Sequence, residues 1–408
     1  MSTPSPTASG GIPRYRPYAG PAVFSEGFRP FFLAVGLWAP IVMALWIALL
    51  AGQIELPTAF GPLDWHVHEM LFGFAGAAAA GFFLTAIPNW TGRLPLQGPP
   101  LMLLAALWLA GRIACAVSAL TGPEVAAAVD LAFLFFLLLA VIREIAAGRN
   151  WRNLPMVGAL AVLLAANLMF HLESLGLTET ARFGARLGIA TLLMMITLIG
   201  GRIIPSFTRN WLVKQNAAAD RLPAPFGIVD RAALAISLVA LIAWVIELQA
   251  AVTGALLIAA GIAAAIRLAR WRGLATLREP LLLVLHLGHG WLAVGLLLLG
   301  IGHLSEAIAP SDALHALTAG AIGTMILAVM TRATLGHTGR DLTAGAGTAI
   351  IYGLVTLAAL SRIGAGILLD HYEILLRIAG GAWIAAFLLF LAVYGPMLLR
   401  PRLRDAAA

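Results

Sequence analysis

The chain has 408 residues, of which 61% are hydrophobic and 11% charged, and its mean hydropathy is +0.93. Soluble domains average about 45–50% apolar and about 25% charged residues. A chain this apolar cannot clothe its surface in water, which excludes a secreted domain, a disulfide scaffold, a coiled coil and a disordered tail protein. The formal net charge of +7 does not point to nucleic acid, because the basic residues fall in short loops between apolar segments, where they set membrane topology.

The first 20 residues are rich in Pro, Ser, Thr and Gly and contain no apolar signal-peptide core. Residues 1–29 therefore read as a disordered cytoplasmic lead. A helix crossing the hydrocarbon needs about 20 apolar residues. Twelve runs qualify: 30–51, 66–87, 99–120, 124–145, 155–174, 184–205, 228–248, 250–269, 280–303, 312–332, 345–369 and 375–398. The fold class expected is an all-α integral membrane protein, with one twelve-helix transmembrane domain over 30–398 and a cytoplasmic tail over 399–408.

Loop charge supports an even count. Of 26 basic residues, 21 lie in loops on the N-terminal side. The opposite side holds Arg182, Arg186 and Arg377, while Arg112 and Arg362 lie within spans. By the positive-inside rule both termini are cytoplasmic. Spans 2, 6 and 10 end in related sequence: Thr85-Ala-Ile-Pro-Asn-Trp-Thr-Gly-Arg93, Gly201-Arg-Ile-Ile-Pro-Ser-Phe-Thr-Arg209 and Val329-Met-Thr-Arg-Ala-Thr334. Three four-helix units would give a pseudo-threefold bundle. Alternatively, Pro, Thr and Arg are simply common at membrane exits.

Polar residues inside spans are costly and usually functional. The single cysteine, Cys115, cannot alone make a disulfide, an iron–sulfur cluster or a structural zinc site. No Cys-x-x-Cys-His sequence is present, so covalent haem attachment is excluded. A metal would fall to His, Met or carboxylate. Five of the nine histidines (His66, His68, His171, His303 and His315) fall at one depth, on spans 2, 5, 9 and 10, near the end opposite the basic loops. Neutral imidazole is a common metal ligand, and helix bundles build metal and haem sites from facing side chains.

In Trp65-His66-Val67-His68-Glu69, a helical backbone separates His66 and His68 by about 200°. They would then serve two centres, or one centre and a structural bond. An extended backbone would let them share one metal. Glu69 is placed to fix an imidazole tautomer or relay protons. His286 and His289, three residues apart, share a helix face. His286 lies roughly 9 Å into span 9 at about 1.5 Å per residue, so it needs a partner: a haem, a carbonyl of another helix or a water cavity. On the basic side Arg202, Arg209 and Arg332 suit bidentate anion binding or are ordinary topology anchors. Gly73/Gly76 and Gly320/Gly323 are spaced for close helix approach. Nucleotide-binding, Gly-x-Ser-x-Gly and His-Glu-x-x-His patterns are missing.

The run Glu26-Gly-Phe-Arg-Pro-Phe-Phe32, then WHVHEMLFGF (65–74), IPNWTGR (87–93), GGRIIPSFTRN (200–210), LHLG (285–288), HALTAGAIGTM (315–325) and RATLGHTGR (332–340), resembles the NnrS family in order along nearly the whole chain. That resemblance implies a twelve-span protein of the bacterial inner membrane that binds haem and copper and is linked to nitric oxide tolerance in denitrifying and pathogenic bacteria. The family's motif histidines correspond to His66, His68, His171, His286, His315 and His337. One or two b-type haems, with copper, are implied at His66, His68, His171, His286 and His315, with His303 as a further metal ligand. Haem propionates would fall to Arg202, Arg209 and Arg332, or to Arg182 or Arg186 if the haem edge points outward. The activity implied is a membrane oxidoreductase that binds and reduces or removes nitric oxide, with Glu69 as the catalytic carboxylate. Electrons would come from quinol or an unseen donor. The rival class is a twelve-span transporter or sensor that protects against nitrosative stress without turning nitric oxide over. Haem–copper oxidases are similar only by analogy, since there is no His-His pair and no histidine on spans 6 or 7.

Overall fold

A computed structural model describes residues 18–403. Twelve helices are long and apolar enough to cross a membrane. They are α1 (Phe28–Leu50), α2 (Pro62–Thr91), α3 (Pro99–Ala116), α4 (Pro123–Ala147), α5 (Trp151–Ser174), α6 (Ala181–Lys214), α7 (Ile228–Val245), α8 (Ala250–Ala269), α9 (Pro280–Leu304), α10 (Pro310–His337), α11 (Ala346–Ile367) and α12 (Leu369–Leu399). Each corresponds to one predicted run. The chain is a multi-pass, all-helical membrane protein, and no strand occurs among the described residues.

Residues 1–17 of the expected lead lie outside the described residues. Of the remainder, Ala22–Phe24 forms a 3-10 turn, and Phe28 and Arg29 already belong to α1. Arg29 is buried and donates to the carbonyls of Leu398 (3.1 Å) and Arg400 (2.7 Å), tying the first helix to the end of the last. Several starts are set by proline in the first turn, where its missing N–H costs nothing; α2, α3, α4, α9 and α10 begin this way. Gly92 closes α2 in the left-handed conformation at φ 70°, a cap that favours glycine.

α2, α6, α9 and α10 are the most enclosed helices, with 61–78% of their apolar cores buried against 33–44% in the other eight. α2, α6 and α10 meet at the centre. Each also carries a π-helical stretch: Glu69–Ala75, Ile196–Gly200 and Ala316–Gly323. Such stretches are rare, loosen the carbonyl ladder and gather at functional sites. Here other helices take up the loosened carbonyls. Trp108 Nε1 donates to Gly73 O at 2.9 Å, and Arg267 Nη1 to Thr197 O at 2.7 Å. α2 and α6 run past their predicted ends, α2 through Pro88, three residues from its end at Thr91, and α6 from Pro205 on to Lys214. A cavity of about 100 Å³ lies between α2, α6 and α10, walled by Ala75, Ala79, Ile199, Gly200, Ile322 and Met325 among others.

Candidate cofactor sites

The first group is built from four helices at the end opposite the basic loops. His68 and Glu69 come from α2, Arg112 and Cys115 from α3, Asp130 from α4, and Asn167 and His171 from α5. All are at most 1% exposed. An unpaired charge here would be very costly, and pairing is nearly complete. Arg112 Nη1 donates to Glu69 Oε2 at 2.7 Å, and its Nη2 pairs with Asp130 Oδ1. Asp130 Oδ2 accepts from Asn167 at 2.8 Å and from His171 Nε2 at 3.0 Å. His68 lies 3.1 Å from Glu69 Oε1 and 2.8 Å from Asn167 Oδ1. Gly73 makes room: a Cβ there would sit 2.7 Å from Arg112 Nη1 and 2.8 Å from Glu69 Oε2.

One ligand atom each from His68, Cys115, Asp130 and His171 lie within 4.8 Å of one another. Imidazole, thiol and carboxylate together are a donor set for a transition metal. His171 Nδ1 is buried without a hydrogen-bond partner. These residues fit a metal ion, with Glu69 orienting His68 from behind.

The second group lies on the other side of the same turn of α2. Pro62–His68 is helical, so His66 and His68 diverge. His66 stacks on Trp46 with ring centroids 4.4 Å apart. Its ring and that of His315, from α10, line one cavity with Trp383 and Arg362. His315 Nδ1 donates to Ser311 O at 2.6 Å, which leaves Nε2 with the free lone pair. His66 Nδ1 is buried and unpartnered. Imidazoles from two different helices are a donor pair of the kind that holds a haem iron. The void holds about 70 Å³, whereas cofactor pockets run to about 300–1,000 Å³, so a porphyrin requires Trp46 and its neighbours to swing aside.

The third pair, His286 and His289 on α9, lies toward the basic end, apart from both groups. His286 Nε2 bonds Thr208 of α6 at 3.0 Å. His289 is fully buried, packs against Trp271 at 4.6 Å between ring centroids, and leaves both nitrogens without a partner.

The remaining expected residues lie elsewhere. His303 is half-buried, its Nδ1 bonded to Leu299 O of its own helix at 2.8 Å, and it joins neither group. His337 packs near Phe28, and His371 is exposed. The arginines expected at propionates face other partners. Arg202 reaches Asn153 at 3.4 Å, Arg209 reaches Pro223 O at 3.5 Å, and Arg332 lies 4.2 Å over the Phe207 ring. Arg182 and Arg186 pair with Glu247. The arginine that does line the His66–His315 cavity is Arg362, paired with Asp312 at 2.7 Å. The expectation that a metal falls to His, Met or carboxylate omits Cys115, whose thiol joins the first group, and the sequence reading also passes over Arg112, Asp130, Asn167 and Arg362 as site residues. Their signal was charge or amide inside an apolar span.

No curated protein matches the chain. The motifs that carry the resemblance lie on the helices that supply these groups: α2 brings His66, His68 and Glu69, and α10 brings His315. The match extends well beyond them, and the chain belongs to the NnrS family, whose model, described as NnrS protein, covers residues 22–402.

Proposed function

We propose that this NnrS-family chain is a haem-containing protein of the bacterial inner membrane, both termini cytoplasmic, that binds nitric oxide and reduces or removes it. The observation that carries this reading is the divergence of His66 and His68. One helical turn of α2 feeds two separate donor groups, one fully buried and one half-buried, as a protein with two redox centres requires. The recurrence of π-helical stretches in α2, α6 and α10, four spans apart each time, supports a three-by-four arrangement of helices.

His66 and His315 would hold a b-type haem, which would supply one-electron chemistry and capture of nitric oxide, and His68, His171, Asp130 and Cys115 would hold a copper ion as the second centre. Around them the chain's own groups set the conditions. The Ser311 carbonyl fixes the His315 tautomer, and Trp46 holds the His66 ring. Reducing two nitric oxide molecules to nitrous oxide and water consumes two electrons and two protons. Glu69, Asp130 and His68 form a buried chain of proton-holding groups, with Arg112 balancing their charge. Electrons come from membrane quinol or another donor. The central cavity is lined by apolar side chains, and a cavity of that kind holds small apolar guests such as a diatomic gas.

The test is an optical spectrum of the purified protein, oxidised and reduced, with and without nitric oxide. A b-type spectrum that shifts with nitric oxide is expected. A clean preparation with no Soret band would overturn the haem reading and favour a transporter or sensor.

A further inference from the structure

A wide groove of about 1,050 Å³ opens between α8, α9 and α11 toward the basic end of the bundle. Its walls are mainly apolar and include Leu268, Leu283, Leu287 and Trp291, and Arg221 and Arg272 also line it. His286 and Gly273 line it side by side. His286 lies roughly 9 Å along α9 from Pro280 at about 1.5 Å per residue.

His286 has one nitrogen occupied by Thr208 and the other, Nδ1, buried and unpartnered. Nδ1 faces Gly273, where a Cβ would come within 2.8 Å of it. Glycine at this position leaves beside Nδ1 the space that a Cβ would fill. The preceding residue, Arg272, holds a left-handed backbone at φ 61°, a conformation that strains a non-glycine residue and clusters at ligand sites. Its guanidinium is held by Asp220 O at 2.8 Å. The groove is not explained by volume alone. A second groove of about 780 Å³ between α5, α6 and α7 contains no unsatisfied buried side-chain nitrogen or oxygen.

The occupancy of Nε2 by Thr208 argues against haem here. Ligation through Nδ1 would press a porphyrin onto the histidine's own Cβ. A flat ring carrying a hydroxyl or carbonyl at its edge approaches Nδ1 in its plane. We propose that this groove binds a membrane quinol, its head group hydrogen-bonded to His286 Nδ1 and its isoprenoid tail along the apolar wall. With Nε2–H donating to Thr208, Nδ1 accepts from a quinol hydroxyl. In the other tautomer Nδ1–H donates to a quinone carbonyl. One imidazole thus meets both redox forms.

This deepens the proposed function, which needs an electron donor, but it is tested without nitric oxide or haem. The full-length protein in detergent is titrated with decylubiquinone, reading tryptophan fluorescence quenching, and labelled with a photoreactive azidoquinone whose adducts are mapped by mass spectrometry. Adducts on Gly273–Leu287 are expected. His286→Ala should bind about five- to tenfold more weakly, the value of one hydrogen bond, and His286→Gln should recover part of that. Leu287→Trp, which fills the groove from its exposed side, should block labelling without touching the histidine, and Leu238→Trp in the second groove should not. Equal quenching in wild type and His286→Ala, or displacement of the quinone by phosphatidylglycerol at matched concentration, would overturn the assignment. Quinone binding in a preparation with no Soret band would leave this site standing while the haem reading fell.

Discussion

The two ends of the bundle treat buried histidine differently. At the end opposite the basic loops, His68 and His171 sit in a lattice with Glu69, Arg112, Asp130 and Asn167 where nearly every donor meets an acceptor. Toward the basic end, His286 and His289 lie in apolar packing and leave three of four ring nitrogens unpaired. A satisfied network holds charge and protons in place. An unsatisfied one stores binding energy for something that arrives, since a buried unpaired group costs about 1–3 kcal/mol.

The sharpest way to break the first half of that contrast is Asp130→Ala. Asp130 holds Arg112, Asn167 and His171 together, so its loss takes one of the two carboxylates from a buried guanidinium and leaves Nη2 without an acceptor. A penalty of about 3–5 kcal/mol is expected, read as a large drop in folded yield and in melting temperature in detergent. Asp130→Leu should not recover the stability, because Arg112 Nη2, Asn167 and His171 Nε2 still lose their shared acceptor. A melting temperature unchanged in both would show that the network is not what organises α2 to α5.

Next in size is the histidine pair at the second group. His315→Ala should abolish or strongly shift the haem spectrum, whereas His371→Ala, at an exposed loop position, should leave it intact. Equal effects at both would end the assignment of His66 and His315 to one centre. Part of this group was legible without the fold. The helical angle between positions two apart already separates His66 from His68. Their depth already pairs His66 with a residue on α10. The choice of arginine was not legible. Arg202, Arg209 and Arg332 stood out because they lie in motif-rich helix ends, but their side chains turn to Asn153, Pro223 and Phe207. Arg362 is hidden within an apolar run, and its role depends on how α11 packs against α10. The same holds for Arg112 and Asp130: hydropathy locates the spans, while pairing across spans needs their rotation and neighbours. All twelve spans were readable because about 20 apolar residues have no other stable use in a chain.

The second half of the contrast is tested by His289→Leu. Both nitrogens are buried without partners, so in protein stripped of metal and haem the apolar side chain should be tolerated or stabilising, by about 1–3 kcal/mol. Chemical unfolding of stripped protein measures it. A clear loss of stability would mean that His289 has a partner within the resting fold.

The smallest effect belongs to the surface. Arg377 pairs with Glu373 one turn away at 3.3 Å, but both side chains are about four-fifths exposed. Two long side chains lose as much freedom as the pair gains in water, so Arg377→Ala should change stability by less than about 0.5 kcal/mol. Asp130→Ala breaks a buried carboxylate–arginine pair and Arg377→Ala an exposed one, so the ratio of the two costs shows what burial and the added partners of Asp130 contribute. If Arg377→Ala cost as much as Asp130→Ala, burial could not be the reason that the lattice of α2 to α5 matters, and the charge of the pair alone would have to explain both.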